Sequence, residues 1–166
     1  MEIARTMETV EDILKHDFKY LYKKKRTGIN AWHMTFFMDS KTHNLQLNFD
    51  FQEHFCDILS FISPPVLTIG SENYWEALQT VNYANCYAKA AGRFYIDSYG
   101  DLAYSHRLHY DVLESMPHKC AKEVEAAIDY YSDLFVAFLD VCQGKRKFED
   151  TKQFIDDMWG GMLYGY

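Results

Sequence analysis

The chain lacks most of the features that announce a function. It has three prolines and eight glycines in 166 residues, and no low-complexity stretch or internal repeat, so it is neither fibrous nor linker-like. Basic charge is in deficit. Seventeen Lys and Arg face 24 Asp and Glu, a net charge of -7, which removes the usual footprint of a nucleic-acid binder. No apolar run approaches the roughly 18–20 residues of a membrane-spanning helix. The opening MEIARTMETVEDIL has no basic segment followed by an apolar one. It does not read as a secretory signal, and the cytoplasm is the expected compartment.

Reactive motifs are equally scarce. Cys56, Cys86, Cys120 and Cys142 lie far apart with no CxxC pair, and read as small buried apolar residues. A zinc site wants closely spaced ligand pairs. His54 with Cys56 and His118 with Cys120 each lack a second half, so no metal is expected. Phosphate-binding glycine loops, nucleophile elbows, HExxH helices and dinucleotide fingerprints are missing. No catalytic residue and no cofactor is expected, and the chain reads as a non-enzyme.

What the chain has in excess is aromatic residues, 17% of the total with 13 Tyr and 12 Phe. That surplus argues against disorder, and periodicity shows where most of it goes. A short helix is expected over 9–16, with Thr9 as its cap and Val10, Ile13 and Leu14 as its stripe. A period-2 strand follows over 17–23, with Phe18, Tyr20 and Tyr22 on one face. Lys23-Lys24-Lys25-Arg26 with Thr27-Gly28 then reads as a solvated hairpin tip rather than a nucleic-acid patch.

Strands are expected over 31–38, 45–51 and 56–61. The second has the clearest alternation: Leu45, Leu47, Phe49 and Phe51 against Gln46, Asn48 and Asp50. Pro64-Pro65 ends the third. A helix over 72–91, capped by Ser71, carries Tyr74, Leu78, Val81, Asn85 and Ala88 and stops at Gly92. A hairpin pairs 93–97 with 102–110 around Gly100. His106 and His109 fall on opposite faces and cannot share one ion. A long helix over 117–143 buries Cys120, Val124, Ile128, Tyr131, Phe135, Phe138 and Cys142, and Gly144 ends it. The order α-ββββ-α-ββ-α predicts an α+β fold, an antiparallel sheet with helices packed on one side.

Four features compete for a role. Asn82 and Asn85 are unusual in a helix; they serve either as structural hydrogen bonders to a strand or hairpin or as a ligand-facing pair. Asp97 and Asp101 bracket the hairpin turn and read as turn residues rather than an acid–base pair. Tyr95 and Tyr99 are expected outside the core, where exposed aromatics mark partner surfaces. Phe154, Ile155, Met158 and Trp159 form a short amphipathic helix that docks on its own domain or on another chain.

Three stretches together resemble the YbjN family, the bacterial sensory transduction regulators. They are Asn82-Tyr83-Ala84-Asn85, Ala91-Gly92-Arg93-Phe94-Tyr95-Ile96-Asp97, and Gly100-Asp101-Leu102-Ala103-Tyr104. The family pattern is a helix with an Asn-x-x-Asn pair, a strand ending in Asp, a glycine turn, a strand, and a long helix ending in Gly. The resemblance spans residues 8–144. It divides the chain into a YbjN-like domain, 1–144, and a C-terminal tail, 145–166. It implies a fold like that of type III secretion chaperones, often a homodimer, that binds extended segments of other proteins without nucleotide. The expected function is a non-enzymatic protein-binding module, chaperone-like or regulatory, using an apolar or aromatic surface or a sheet edge. The alternative is a small-molecule sensor with a pocket between the Asn82/Asn85 helix and the sheet.

Overall fold

Strand alternation sets the architecture. A computed structural model describes residues 3–18, 22–26, 30–38 and 40–160, with the backbone alone at 22–26. Strands β1 (Tyr22–Arg26), β2 (Ala31–Phe36), β3 (Asn44–Phe51), β4 (Phe55–Ser63), β5 (Arg93–Ile96) and β6 (Leu102–His109) form one sheet in the order β1-β2-β3-β4-β6-β5. Every neighbouring pair is antiparallel. β2, β3 and β4 bury every second residue: Trp32, Met34 and Phe36, then Leu45 to Phe51, then Cys56, Ile58, Ser60 and Ile62. Those side chains share one face and one core cluster with helices α1 (Ile3–Phe18) and α2 (Tyr74–Ala84). The chain is thus α+β, as its periodicities predict.

The long helix, α4 (His118–Cys142), lies at the centre of the helical layer and touches α1, α2 and β6. Its stripe is as expected except at Ile128, which is only partly buried: Cys120, Val124, Tyr131, Phe135, Phe138 and Cys142 are buried. Tyr131 fastens it to the sheet. Its ring is fully buried, and its hydroxyl lies 2.9 Å from the carbonyl oxygens of both Ser60 and Leu102. One proton is shared between them. Leu102 sits one residue past Phe61↔Ala103, the last register pair of β4 and β6, and Ser60 one residue inside it. Burial raises the Tyr131 phenol well above its ordinary value, so it stays a donor. Gly144 follows at φ 72°, the left-handed stop of a helix. A Cβ there would also meet the Asn73 side chain at 2.8 Å.

Several boundaries differ from the sequence reading. The first helix runs from Ile3 to Phe18 with Thr9 inside it, its hydroxyl donating to the Arg5 carbonyl. Val10, Leu14 and Phe18 are buried at i, i+4, i+8, so Phe18 continues the helical stripe. Its ring meets Phe36 edge-on at 6.1 Å. The basic run expected as a turn is strand β1, paired with β2 from Tyr22↔Phe36 to Arg26↔Trp32. Pairing with a neighbour overrides local composition here. Residues 19–21, 27–29, 39 and 161–166, which include Tyr20, the Thr27-Gly28 turn and the final aromatics, lie outside the described residues.

α2 stops at Ala84, well before Gly92. Lys89 and Ala90 donate their amides to the Tyr130 hydroxyl, both at 2.9 Å, rather than to carbonyls four residues back. Gly92 has a different duty from the one expected: a Cβ there would lie 2.4 Å from the Tyr104 ring. Between β6 and α4 stands a short helix, α3 (Tyr110–Ser115), which the periodicity does not announce.

The tail is not a separate unit. Helix α5 (Phe148–Ile155) continues into a π-helical turn, Asp156–Gly160, and packs on α2 and α4. Glu76 of α2 accepts the Phe148 amide at 2.6 Å, satisfying one orphan donor at the start of α5. Asp156 accepts hydrogen bonds from the Tyr83 and Tyr87 hydroxyls. Those bonds hold its carboxyl below the ordinary value and raise the Tyr83 phenol. The Trp159 indole donates to Asp133 at 2.8 Å, and its ring lies 5.2 Å from Tyr130. Ile155 and Trp159 belong to the main core. They were expected among the partner-facing residues, and this corrects that expectation: an amphipathic helix too short to stand alone buries its stripe on the nearest apolar surface.

Two outcomes follow for stability, read by urea denaturation. Tyr131→Phe keeps the ring but strips two buried carbonyls of their donor, and costs about 1–3 kcal/mol. Trp159→Ala costs about 3–5 kcal/mol as a core truncation, whereas Met158→Ala, at an exposed position, stays within about 0.5 kcal/mol. A near-neutral Trp159→Ala refutes the docking of the tail.

Candidate functional site

The helices cover one face of the sheet, and among the described residues the other face carries no helix. Across it, the register aligns three rows. Thr35, Gln46, Phe61, Ala103 and Tyr95 form one; His33, Asn48, Leu59, Ser105 and Arg93 form the next; Ala31, Asp50, Asp57 and Arg107 form the third. A shallow concavity of about 720 Å³ crosses β3, β4, β6 and β5, lined by Asn48, Asp57, Leu59, Tyr95, Ser105 and Arg107 among others.

β4 is the informative strand. Its inward set is Cys56, Ile58, Ser60 and Ile62, and its outward set is Phe55, Asp57, Leu59, Phe61 and Ser63. Apolar residues on both faces are the mark of a strand covered on both sides. Here the outward Phe55, Leu59 and Phe61 are half-buried and stand outside the core cluster that the described helices form with the sheet. The sequence reading assigned the strand but not its second apolar face; counting both alternation sets would have found it.

The polar groups around this apolar strip are neutralised in place. Arg107 grips Asp57 with two hydrogen bonds, 2.8 and 3.0 Å, and lies 3.8 Å over the Phe55 ring. The Asp57 hydrogen bond raises the guanidinium further above its already high value. Tyr95 is 37% exposed. Partial burial and then the Asp97 carboxylate hold its phenol above the ordinary value. Nothing in this arrangement resembles an activated nucleophile. Burial raises the Cys56 thiol and pushes Cys120 and Cys142 up to about 12, which leaves them as packing groups. Cys86 is exposed, against expectation. Among the described residues, no group of three or more His, Cys, Asp or Glu is placed to hold a metal ion. Nor is any helix among them long and apolar enough to cross a membrane.

The structure disperses the residues singled out in the sequence. Tyr95 and Tyr99 both lie outside the core, Tyr99 at the exposed hairpin tip and Tyr95 on the open face. Asp97 is a turn residue, its Oδ1 accepting the amides of Tyr99 and Asp101 at 2.8 and 3.0 Å, and Gly100 has φ 85°. Phe154 packs partly against the core with Arg146 over its ring, and Met158 is exposed. None of these four tail residues borders the open face described above.

Asn82 and Asn85 part company. Asn82 is exposed on α2. Asn85 turns to β5: its Oδ1 accepts the Phe94 amide at 2.7 Å and its Nδ2 donates to the Phe94 carbonyl at 2.8 Å. A side-chain amide has the donor and acceptor of a peptide group, so Asn85 takes the place of one residue of a seventh strand. It blunts the outer edge of β5, a hazard that edge strands carry. One hydrogen bond at each end of the amide thus goes to the Phe94 backbone, the structural role expected of the pair as one of its two readings, while Ala77, Val81 and Ala84 are the buried residues of α2 beside it.

No known family matches this chain, and no curated protein or solved structure matches it either.

Asn85→Ala removes the block on β5. It lowers stability by about 1–3 kcal/mol through the exposed pair of backbone groups. It also makes the protein self-associate with concentration, seen by sedimentation velocity. Asn82→Ala does neither. An Asn85→Ala protein that keeps the wild-type association state and full stability overturns the assignment.

Proposed function

We propose that the chain is a non-enzymatic protein-binding module that takes up its partner on the open face of the sheet. The observation that carries this is β4, apolar on both faces while helices cover only one. Phe61, Leu59 and Tyr95 give the partner an apolar strip, and the Asp57–Arg107 pair beside it gives a polar rim, the composition of an interface centre and margin. Tyr and Arg are the residue types that most often anchor such contacts.

Addition of a strand at β5 is the weaker route, because Asn85 occupies that edge. The motif order that resembles the YbjN family supports the binding reading and adds the proposal of a homodimer. The acidic net charge favours a protein partner over nucleic acid.

The test places a photo-crosslinking amino acid at Tyr95 in cells and, as a control, at Val136, an exposed residue of α4. A discrete heavier adduct forms from position 95 and not from 136. Phe61→Asp abolishes it while circular dichroism and melting stay close to wild type. Equal adducts from both positions, or none from position 95, refute the reading. Light scattering at high concentration reads the dimer separately, and a strict monomer removes that part alone.

A further inference from the structure

A second concavity lies on the opposite side of the sheet, between β6 and the start of α4. It measures about 220 Å³ and is walled by Ala91, Leu108 and Val112, with His106 and Glu123 lining it. Lys119, His109 and Arg107 border it and are exposed.

Glu123 is the anomaly. It is one of the few charged side chains in the core, 9% exposed. Its Oε2 is shut off from solvent and has no hydrogen-bond partner among the described residues. The nearest basic atom is His106 Nδ1 at 3.8 Å, too far for a hydrogen bond. Burial lowers the His106 pKa, and this outweighs the pull of Glu123. The imidazole is therefore mainly neutral near pH 7 and does not supply the missing charge.

The remaining charges around the pair are Lys119 on the same helix, His109 on the same strand, and Asp57 across the β4–β6 ladder. Arg107 is already held by Asp57. A carboxylate oxygen kept from water is left unsatisfied unless a cation or a hydrogen-bond donor reaches it. A metal ion is a poor candidate, because two ligating side chains fall short of the donor set a divalent ion takes.

We propose that this pocket binds a small primary alkylammonium ligand, with Glu123 as counter-ion and Leu108, Val112 and Ala91 around its alkyl body. An ammonium carries three donors and no acceptor. One hydrogen bond goes to the Glu123 carboxylate and a second to the free ring nitrogen of neutral His106. The void holds about seven water-sized volumes, which suits an unbranched amine of a few carbons and excludes a large ring. His106 and Arg107 also border the open-face concavity, but Glu123, Leu108 and Val112 do not, so Glu123→Gln tests this site and leaves the protein-binding proposal untouched.

The test titrates the ¹⁵N-labelled full chain with n-butylammonium chloride, with sodium butyrate at equal ionic strength as the opposite-charge control. Saturable amide shifts appear at Ala91, His106, Leu108, Val112 and Glu123 with the amine and not with butyrate. Glu123→Gln keeps the shape and loses the charge, and weakens binding by about tenfold or more. Ala91→Phe, at an exposed wall position, fills the void without touching the carboxylate and weakens binding as well. Three results overturn the proposal: no saturable shifts with the amine, equal binding by Glu123→Gln in a correctly folded protein, or preferential binding of butyrate. The last would assign the pocket to Lys119 and its neighbours instead.

Discussion

The Tyr131 hydroxyl, set between the carbonyls of Ser60 and Leu102, is the contact on which the rest of the fold leans. Two non-consecutive strands, β4 and β6, are neighbours in the sheet, and their ladder ends near that point. A phenol reaching down from α4 brings one donor to a carbonyl of each strand at once. It therefore fixes both the height and the rotation of α4 over the sheet. α1, α2 and α5 then pack against α4, so their positions inherit that one anchoring. Phe94 and Phe138 complete the socket with rings 5.6 and 6.1 Å from Tyr131.

With every helix drawn to one face, the other face carries the functional possibilities. Most of its residues are of the kind a solvated sheet face tolerates: Thr35, Gln46, Asn48 and Asp50. β4 departs from that rule with Leu59 and Phe61, and the sheet responds locally by bringing Tyr95 and the Arg107–Phe55 stack beside them. The same economy of exposed surface explains Asn85. A sheet that leaves one face open gains by closing an edge, since an open edge and an open apolar face together invite uncontrolled association.

The sequence made the elements and their inward faces readable. Leu45 to Phe51 alternate so strictly that only one register buries them, and the stripe on α4 is readable residue by residue. The turn role of Asp97, the positive φ of Gly100 and the stop at Gly144 follow from local backbone chemistry. The failures share one cause. Lys23 to Arg26 form a strand because β2 offers a partner. Phe18 joins a helix because α1 continues into it. α2 ends early because Tyr130, 40 or so residues away, takes the amides of its last expected turn. Of the candidate site, the hairpin tyrosines were legible as exposed aromatics, but Leu59, Phe61 and the Asp57–Arg107 pair were not, because a half-buried strand ordinarily keeps its outward face polar and the ion pair joins residues 50 positions apart.

By itself, then, the sequence determined the α+β class, the one-sided burial of the strands and the identity of the core stripe. These depend on periods of 2 and 3.6, which any short window contains. Only the tertiary structure decided that Ile155 and Trp159 are core, that Asn85 closes an edge, that Glu123 is buried beside a neutral histidine, and that β4 keeps an apolar face uncovered. Each of those depends on a group far along the chain arriving within a few ångströms, and no local pattern encodes which group that will be.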